Sequence, residues 1–321
     1  MKVKMTDRNN TNATDKFGGH EKIVQTPFFI ALQVISIPGM LGNIVTLFAL
    51  WRRKKWTSVN LLIVVMAISD CMSLLVILIR STTVLLHLRV QLLLYVQLYV
   101  LEALVTISTS SAIIIGCERA FAVRKPLRFK TLWSTKLTVK LLTATAFVLL
   151  LFVGSRAGIE FLKGVDFFKA YAFIPYFIVT RGIPFGIIFA TNISMLLGLI
   201  ANKKKMKMMD MRDLDRQRIQ SVVSITITVV SMTTLYFICM IPGRITIGLT
   251  YTGLISDVRI VRFIGEFLEV FNYSVTFVIY SVTSKNFRKD YKDLFHSCNC
   301  KLCYNPASRE SSASNAQQQR L

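Results

Sequence analysis

The chain has 321 residues, of which 53% are hydrophobic and only 17% charged, with mean hydropathy +0.52 and a formal net charge of +22. Soluble domains carry about 25% charged residues, so a water-soluble globular fold is excluded and a multi-pass membrane protein is expected. The basic excess gathers in a few segments between apolar runs, which argues against nucleic acid and for the anionic lipids of an inner leaflet as its partner.

Residues 1–26 are polar and hold two N-glycosylation sequons, at Asn9 and Asn12. They contain no apolar run, so the first membrane helix is expected to act as its own insertion signal. The segment reads as a disordered, glycosylated extracellular arm. A membrane-crossing helix needs about 20 apolar residues. Seven stretches qualify, at roughly 27–51, 59–86, 92–120, 137–154, 171–199, 219–251 and 255–282. Residues 27–284 are therefore expected to form one all-α transmembrane domain, a seven-helix bundle. The absence of a visible internal repeat weighs against an inverted-repeat transporter. The segments after the first, third and fifth helices and the tail from Lys285 hold 23 Lys/Arg against 6 Asp/Glu. The positive-inside rule then places the N-terminus outside and the C-terminus in the cytoplasm.

Within the apolar runs, polar groups are few. In chain order they include Asn43, Asp70, Arg80, Glu102, Ser108, the pair Glu118-Arg119, Arg181, Arg244, Glu266, Glu269 and Asn272. Charges at membrane depth face the bundle interior, a partner or water. Arg80, Glu102, Arg181, Arg244, Glu266 and Glu269 stand at outer-half heights on five helices. Two readings stay open for them: a polar ligand pocket, or mutual salt bridges that hold the helices in register. Arg262 and Glu266, at i and i+4, could also pair locally. Glu118-Arg119 ends the third run and is either a working surface or an interfacial pair reaching water.

After the seventh run, residues 285–296 place Phe287, Tyr291, Leu294 and Phe295 on one helical face and Arg288, Lys289 and Lys292 on others, which predicts an interfacial amphipathic helix. Cys298, Cys300 and Cys303 follow and are candidate palmitoylation sites; the rival reading is a zinc site with His296. The rest of the tail, 297–321, is rich in Ser, Ala and Gln and reads as disordered.

These marks together resemble the rhodopsin-like (class A) G-protein-coupled receptors. The third helix ends in Glu118-Arg119, as the family's ends in an acid and Arg, with Ala120 where an aromatic is usual. Gly42-Asn43 fits the first helix. Leu62 to Asp70 resembles the second, with its intramembrane Asp. Pro184 fits the fifth, Cys239-Met240-Ile241-Pro242 the sixth with Met240 in place of Trp, and Tyr280 the end of the seventh. The resemblance implies a plasma-membrane receptor that binds an extracellular peptide or small polar ligand. It would activate a heterotrimeric G protein through Glu118, Arg119, Met240, Pro242 and Tyr280, with arrestin as a further partner. It also implies a sodium ion at Asp70, Asn43, Ser108 and Asn272; the alternative is a hydrogen-bonded knot without an ion.

The departures are as informative. Leu94 stands where the family has a disulfide cysteine, and the expected second outer loop, 155–172, has none. That loop is expected to be a mobile lid. Leu101 disfavours a biogenic amine, and the absence of Lys from 255–282 excludes a retinal Schiff base. Residues 220–223 lack the family's acidic partner for Arg119, and Asn192 replaces a Tyr, so a loosely held off-state is expected. The chain is also similar to divergent invertebrate neuropeptide or chemosensory receptors, which makes an environmental ligand an alternative. Two other classes stay open: a transporter or channel using Asp70, Arg181, Arg244 and Glu269, and a binding protein that no longer couples. No metal constellation or nucleophile–base spacing points to an enzyme.

Overall fold

The computed structural model describes residues 8–53, 56–88, 91–208, 213–251, 259–284 and 287–293, with side chains described from Thr26 onward except at 91, 127, 130, 203–208, 213–221, 247, 249–251 and 259–262. Every element among them is helical. Seven helices are long and apolar enough to cross a membrane: Thr26–Trp51, Ser58–Leu85, Leu92–Arg124, Thr135–Lys163, Val165–Asn202, Val222–Thr246 and Phe263–Thr283. They are numbered here as the first to seventh spans. The protein is thus a multi-pass, all-helical seven-span bundle.

The bundle's surface shows what surrounds it. On the first span Ile30, Val34, Ile37, Leu41 and Phe48 are exposed, while Ser36, Asn43 and Thr46 are fully buried. Water would favour the reverse; hydrocarbon favours apolar groups outward and polar groups paired inward. The third span is the most deeply buried and forms the centre.

Local sequence sets the helix ends. Thr57 and Ser134 cap the second and fourth spans, their side chains accepting the backbone N–H groups of Asn60 and Leu137. Pro126 opens a short helix, Pro126–Leu132, after the third span. The first helix reaches back to Arg8, so residues 8–25 are helical where composition reads as a disordered arm. Extending a nucleated helix costs far less than starting one, and no proline intervenes before Pro27. The side chains of Asn9 and Asn12 lie outside the described residues, as do Arg262's side chain, Leu294, Phe295, His296 and the tail cysteines Cys298, Cys300 and Cys303.

The largest departure from expectation lies between the fourth and fifth spans. The fourth runs to Lys163 rather than ending near residue 154, and the fifth begins at Val165. Gly164 alone joins them, at φ 86°, a conformation that glycine adopts without strain. The expected lid over 155–172 is therefore helix. Arg156, Glu160 and Lys163 have the composition of a loop, yet Arg156 and Glu160 pair one turn apart within the helix at 2.8 Å.

The fifth span is not a uniform α-helix. Two π-turns, Phe168–Ala172 and Ile178–Gly182, interrupt it, each shortly before a proline, Pro175 and Pro184. A proline removes one helical hydrogen bond and its ring crowds the carbonyl four residues back. The wider turn relieves that crowding: Phe173 and Ile183 donate their N–H groups five residues back, to the Phe168 and Ile178 carbonyls.

Small residues bring the remaining spans together. Gly39 and Gly42 lie against Ser274 and Phe277, joining the first and seventh spans, and Gly243 lies against Gly265, joining the sixth and seventh. A Cβ on Gly265 would stand 2.5 Å from the Gly243 Cα, against backbone that cannot step aside. Gly265→Ala is expected to lose about 1–3 kcal/mol. Gly154→Ala, where nothing lies within 4 Å, should be neutral or stabilising by up to about 1 kcal/mol. Thermal unfolding of the two variants in detergent compares them.

Candidate functional site

One end of the bundle encloses a cavity of about 480 Å³, within the range of small-molecule sites. Its wall includes all six charged residues singled out from the sequence, Arg80, Glu102, Arg181, Arg244, Glu266 and Glu269, together with Arg156. The rest of the wall is mainly apolar, with Phe29, Leu32, Leu98, Val105 and Phe177 among it.

The charges are paired across helices. Arg80 of the second span donates to both carboxylate oxygens of Glu266 on the seventh at 3.2 Å. Arg244 of the sixth pairs with Glu269 of the seventh, which also accepts from Tyr273 at 3.0 Å. Glu102 of the third is the hub: Arg181 of the fifth reaches it at 3.2 Å, Arg156 of the fourth at 2.7 Å, and the Tyr176 hydroxyl donates to it as well. The salt-bridge reading of these residues thus describes the structure, and the same residues wall the cavity.

Sequence reasoning missed part of this network. Arg156 lies over the rings of Tyr99, Phe168 and Tyr176 at 5.5–5.8 Å, a cation–π setting. Glu160 holds it from the side and accepts from Tyr99 at 2.5 Å. The i,i+4 spacing of Arg156 and Glu160 was the signal in the sequence that the helix continued.

Below the cavity, Asp70 is buried and accepts from Ser108 at 3.1 Å. Asp70, Ser108, Asn272 and Thr276 wall a void of about 30 Å³, roughly the share of one water. Their oxygens suit a hard cation such as sodium, so the donor set fits. Asn43 is set apart from it: its amide nitrogen donates to the Gly39 and Tyr273 carbonyls at 3.0 Å and ties the first span to the seventh. Three of the four expected residues therefore converge. Among the described residues no three His, Cys, Asp or Glu side chains cluster as a metal site.

The opposite end of the third span carries Glu118 and Arg119. Seventeen residues below Glu102, Arg119 lies about 25 Å away along the helix. The pair is buried rather than reaching water: Glu118 is 0% exposed and Arg119 7%. One oxygen of Glu118 accepts from Arg119 and from Ser58, each at 2.6 Å. The guanidinium lies 5.5 Å from the Phe129 ring of the short helix. Neither Ser58 nor Phe129 was legible as a partner, since one opens the second span and the other lies in the short connecting helix. The sixth span is held separately, by Thr233 to Asn192 at 2.6 Å and by Thr283 to Thr228 at 3.0 Å. Met240 is buried in the central apolar cluster, and Pro242 is exposed.

Residues 287–293 form a further helical turn pair beneath the seventh span. Its apolar residues Phe287 and Tyr291 pack on the bundle. Phe287 stacks on Tyr280 at 4.8 Å, Tyr291 shares a hydrogen bond with Thr46 at 3.0 Å, and Arg53 binds Asp290 at 2.5 Å while lying over Phe287. Arg288, Lys289 and Lys292 remain exposed. Burial pushes the Tyr291 phenol above its ordinary pKa, so it stays a neutral hydrogen-bonding group throughout the physiological range.

Glu102→Gln leaves buried Arg181 with only a neutral acceptor, Arg156 keeping Glu160, and is expected to cost about 3–5 kcal/mol. Tyr176→Phe removes one hydrogen bond from the same hub and is expected to cost about 1 kcal/mol. The difference in unfolding midpoint between the two detergent-solubilised variants measures the hub.

No protein-family model matches the chain, and no curated protein matches it.

Proposed function

We propose that the protein is a plasma-membrane receptor of the rhodopsin-like G-protein-coupled type, with its N-terminus outside and its C-terminus in the cytoplasm. The observation that carries this reading is the placement of two polar sites at opposite ends of the central third span: a ligand-sized charged cavity at Glu102 and a sealed Glu118-Arg119 pair about 25 Å away. A ligand bound among the cross-helix ion pairs changes which helices they hold together. That biases the packing of the fifth and sixth spans against the third. Arg119 is then released from Glu118 and Phe129 to meet a heterotrimeric G protein, and later arrestin. A peptide or small polar ligand suits the cavity, and an environmental chemical is the alternative. Sodium, held by Asp70, Ser108 and Asn272, favours the closed packing. Exposed Arg288, Lys289 and Lys292 face anionic inner-leaflet lipid, and acylation of Cys298, Cys300 and Cys303 strengthens that contact. Asn9 and Asn12 are glycosylated on the outer side.

The helix-six acid is missing, but Ser58 and Phe129 take part of its place, so the latch draws on the second span and the short helix instead. Arg119→Ala is expected to abolish G-protein nucleotide exchange in response to active members of a peptide and amino-acid library, with their binding retained. Phe129→Ala is expected to raise ligand-free exchange several-fold by loosening the guanidinium. Full exchange activity in the Arg119 variant at normal surface expression would sink the receptor reading; substrate flux unchanged in that variant would favour a transporter.

A further inference from the structure

The carboxylates and guanidiniums of the cavity wall are unequally satisfied. Glu102 accepts from Tyr176, Arg181 and Arg156, Glu269 from Arg244 and Tyr273, and Glu266 from Arg80. Each guanidinium offers five N–H donors. Arg181 spends one on Glu102 and Arg244 spends one on Glu269; neither has another protein acceptor among the described residues. Their remaining nitrogens are not among the sealed polar atoms without partners, and both residues wall the cavity. Those donors open onto it. The two side chains enter from adjacent spans and both lie within electrostatic reach of Glu102. Glu269 keeps one oxygen, Oε2, without a donor, so the cavity offers one open acceptor against several spare donors on Arg181 and Arg244.

We infer that the cavity takes a monocarboxylate with an apolar body, its head group between Arg181 and Arg244. The carboxylate supplies the acceptors that these two guanidiniums lack, in the forked geometry that favours Arg over Lys. A cationic ligand would find Glu102 and Glu266 already paired and only Glu269 Oε2 open, beside the Arg244 guanidinium. A single charge is the cheapest anion to bring to membrane depth, and the apolar remainder of the wall, with Phe29, Leu32, Leu98 and Phe177, covers the body. The inference rests on this cavity being the ligand site of the proposed receptor, but it concerns binding and needs no G protein.

The test uses the full chain purified in detergent. Octanoate, 4-phenylbutyrate and N-acetyl-leucine are compared with the primary amide and the amine matching each, by shift of the thermal unfolding midpoint. Acids are expected to raise the midpoint at concentrations at least about tenfold below those at which the matched amides or amines do. Arg181→Gln should weaken the acid effect about tenfold or more, Glu102 keeping Arg156 as its partner. Arg181→Lys, which retains the charge and loses the fork, should weaken it in part. The double variant Arg244→Gln/Glu269→Gln removes the second guanidinium without stranding its carboxylate and should also abolish the shift. Equal shifts from amides, larger shifts from amines, no shift from any acid at millimolar concentration, or full acid binding in both arginine variants each overturn the inference. Acid binding without G-protein activation supports it and counts against the receptor reading instead.

Discussion

Hydrocarbon offers no water to a charge, so each charged side chain at membrane depth must find its counter-charge inside the protein. That constraint organises the Glu102 end of this bundle. Glu102 draws the fourth and fifth spans to the third, Glu266 draws the second to the seventh, and Glu269 draws the sixth to the seventh. The partners come from different helices, so the pairs fix relative height and rotation in a way that apolar contacts against lipid cannot. Glycines do the complementary work, letting the first and sixth spans approach the seventh closely.

The same pairs hold the helices and line the cavity, and that coincidence joins structure to the proposed function. A ligand that competes for Arg181 or Arg244 competes with the contacts that set the positions of the fifth and sixth spans. No separate transmission device is required between binding and helix movement; the ion pairs serve both. At the other end, Thr233–Asn192 and Thr283–Thr228 hold the sixth span through single neutral hydrogen bonds, each worth about 1 kcal/mol. The sixth span is thus tied by charge near the cavity and lightly near Arg119.

The seven spans were legible because long apolar runs leave few alternatives, and their boundaries agree closely wherever a capping residue such as Thr57 or a basic segment follows. The exception is instructive. Taken singly, Arg156 and Glu160 look like the end of a membrane segment; in the fold they pair within a helix that continues to Lys163. The six cavity charges were legible from their depth alone. Their partners were not, since cross-helix pairing depends on rotation and tilt that single-helix periodicity does not carry. Tyr99 and Tyr176 were invisible for another reason: an aromatic in a membrane helix looks like lipid-facing surface until its hydroxyl is seen to meet a carboxylate. Ser58 and Phe129 belong to a helix start and a connecting helix, whose positions follow only from the assembled fold.

The single-residue joint at Gly164 also bears on how the protein is made. With one residue between the fourth and fifth spans, there is no hydrophilic segment to carry across the bilayer separately. The two spans are suited to enter the membrane together as a helical hairpin, with Arg156 and Glu160 already facing one another one turn below the bend. The pair lies within the fourth span, and it lowers the cost of bringing both charges into hydrocarbon before Arg156 also meets Glu102 of the third. Biogenesis and the mature ion network then share a common first step, and a side chain at position 164 would disturb insertion before it disturbed any finished contact.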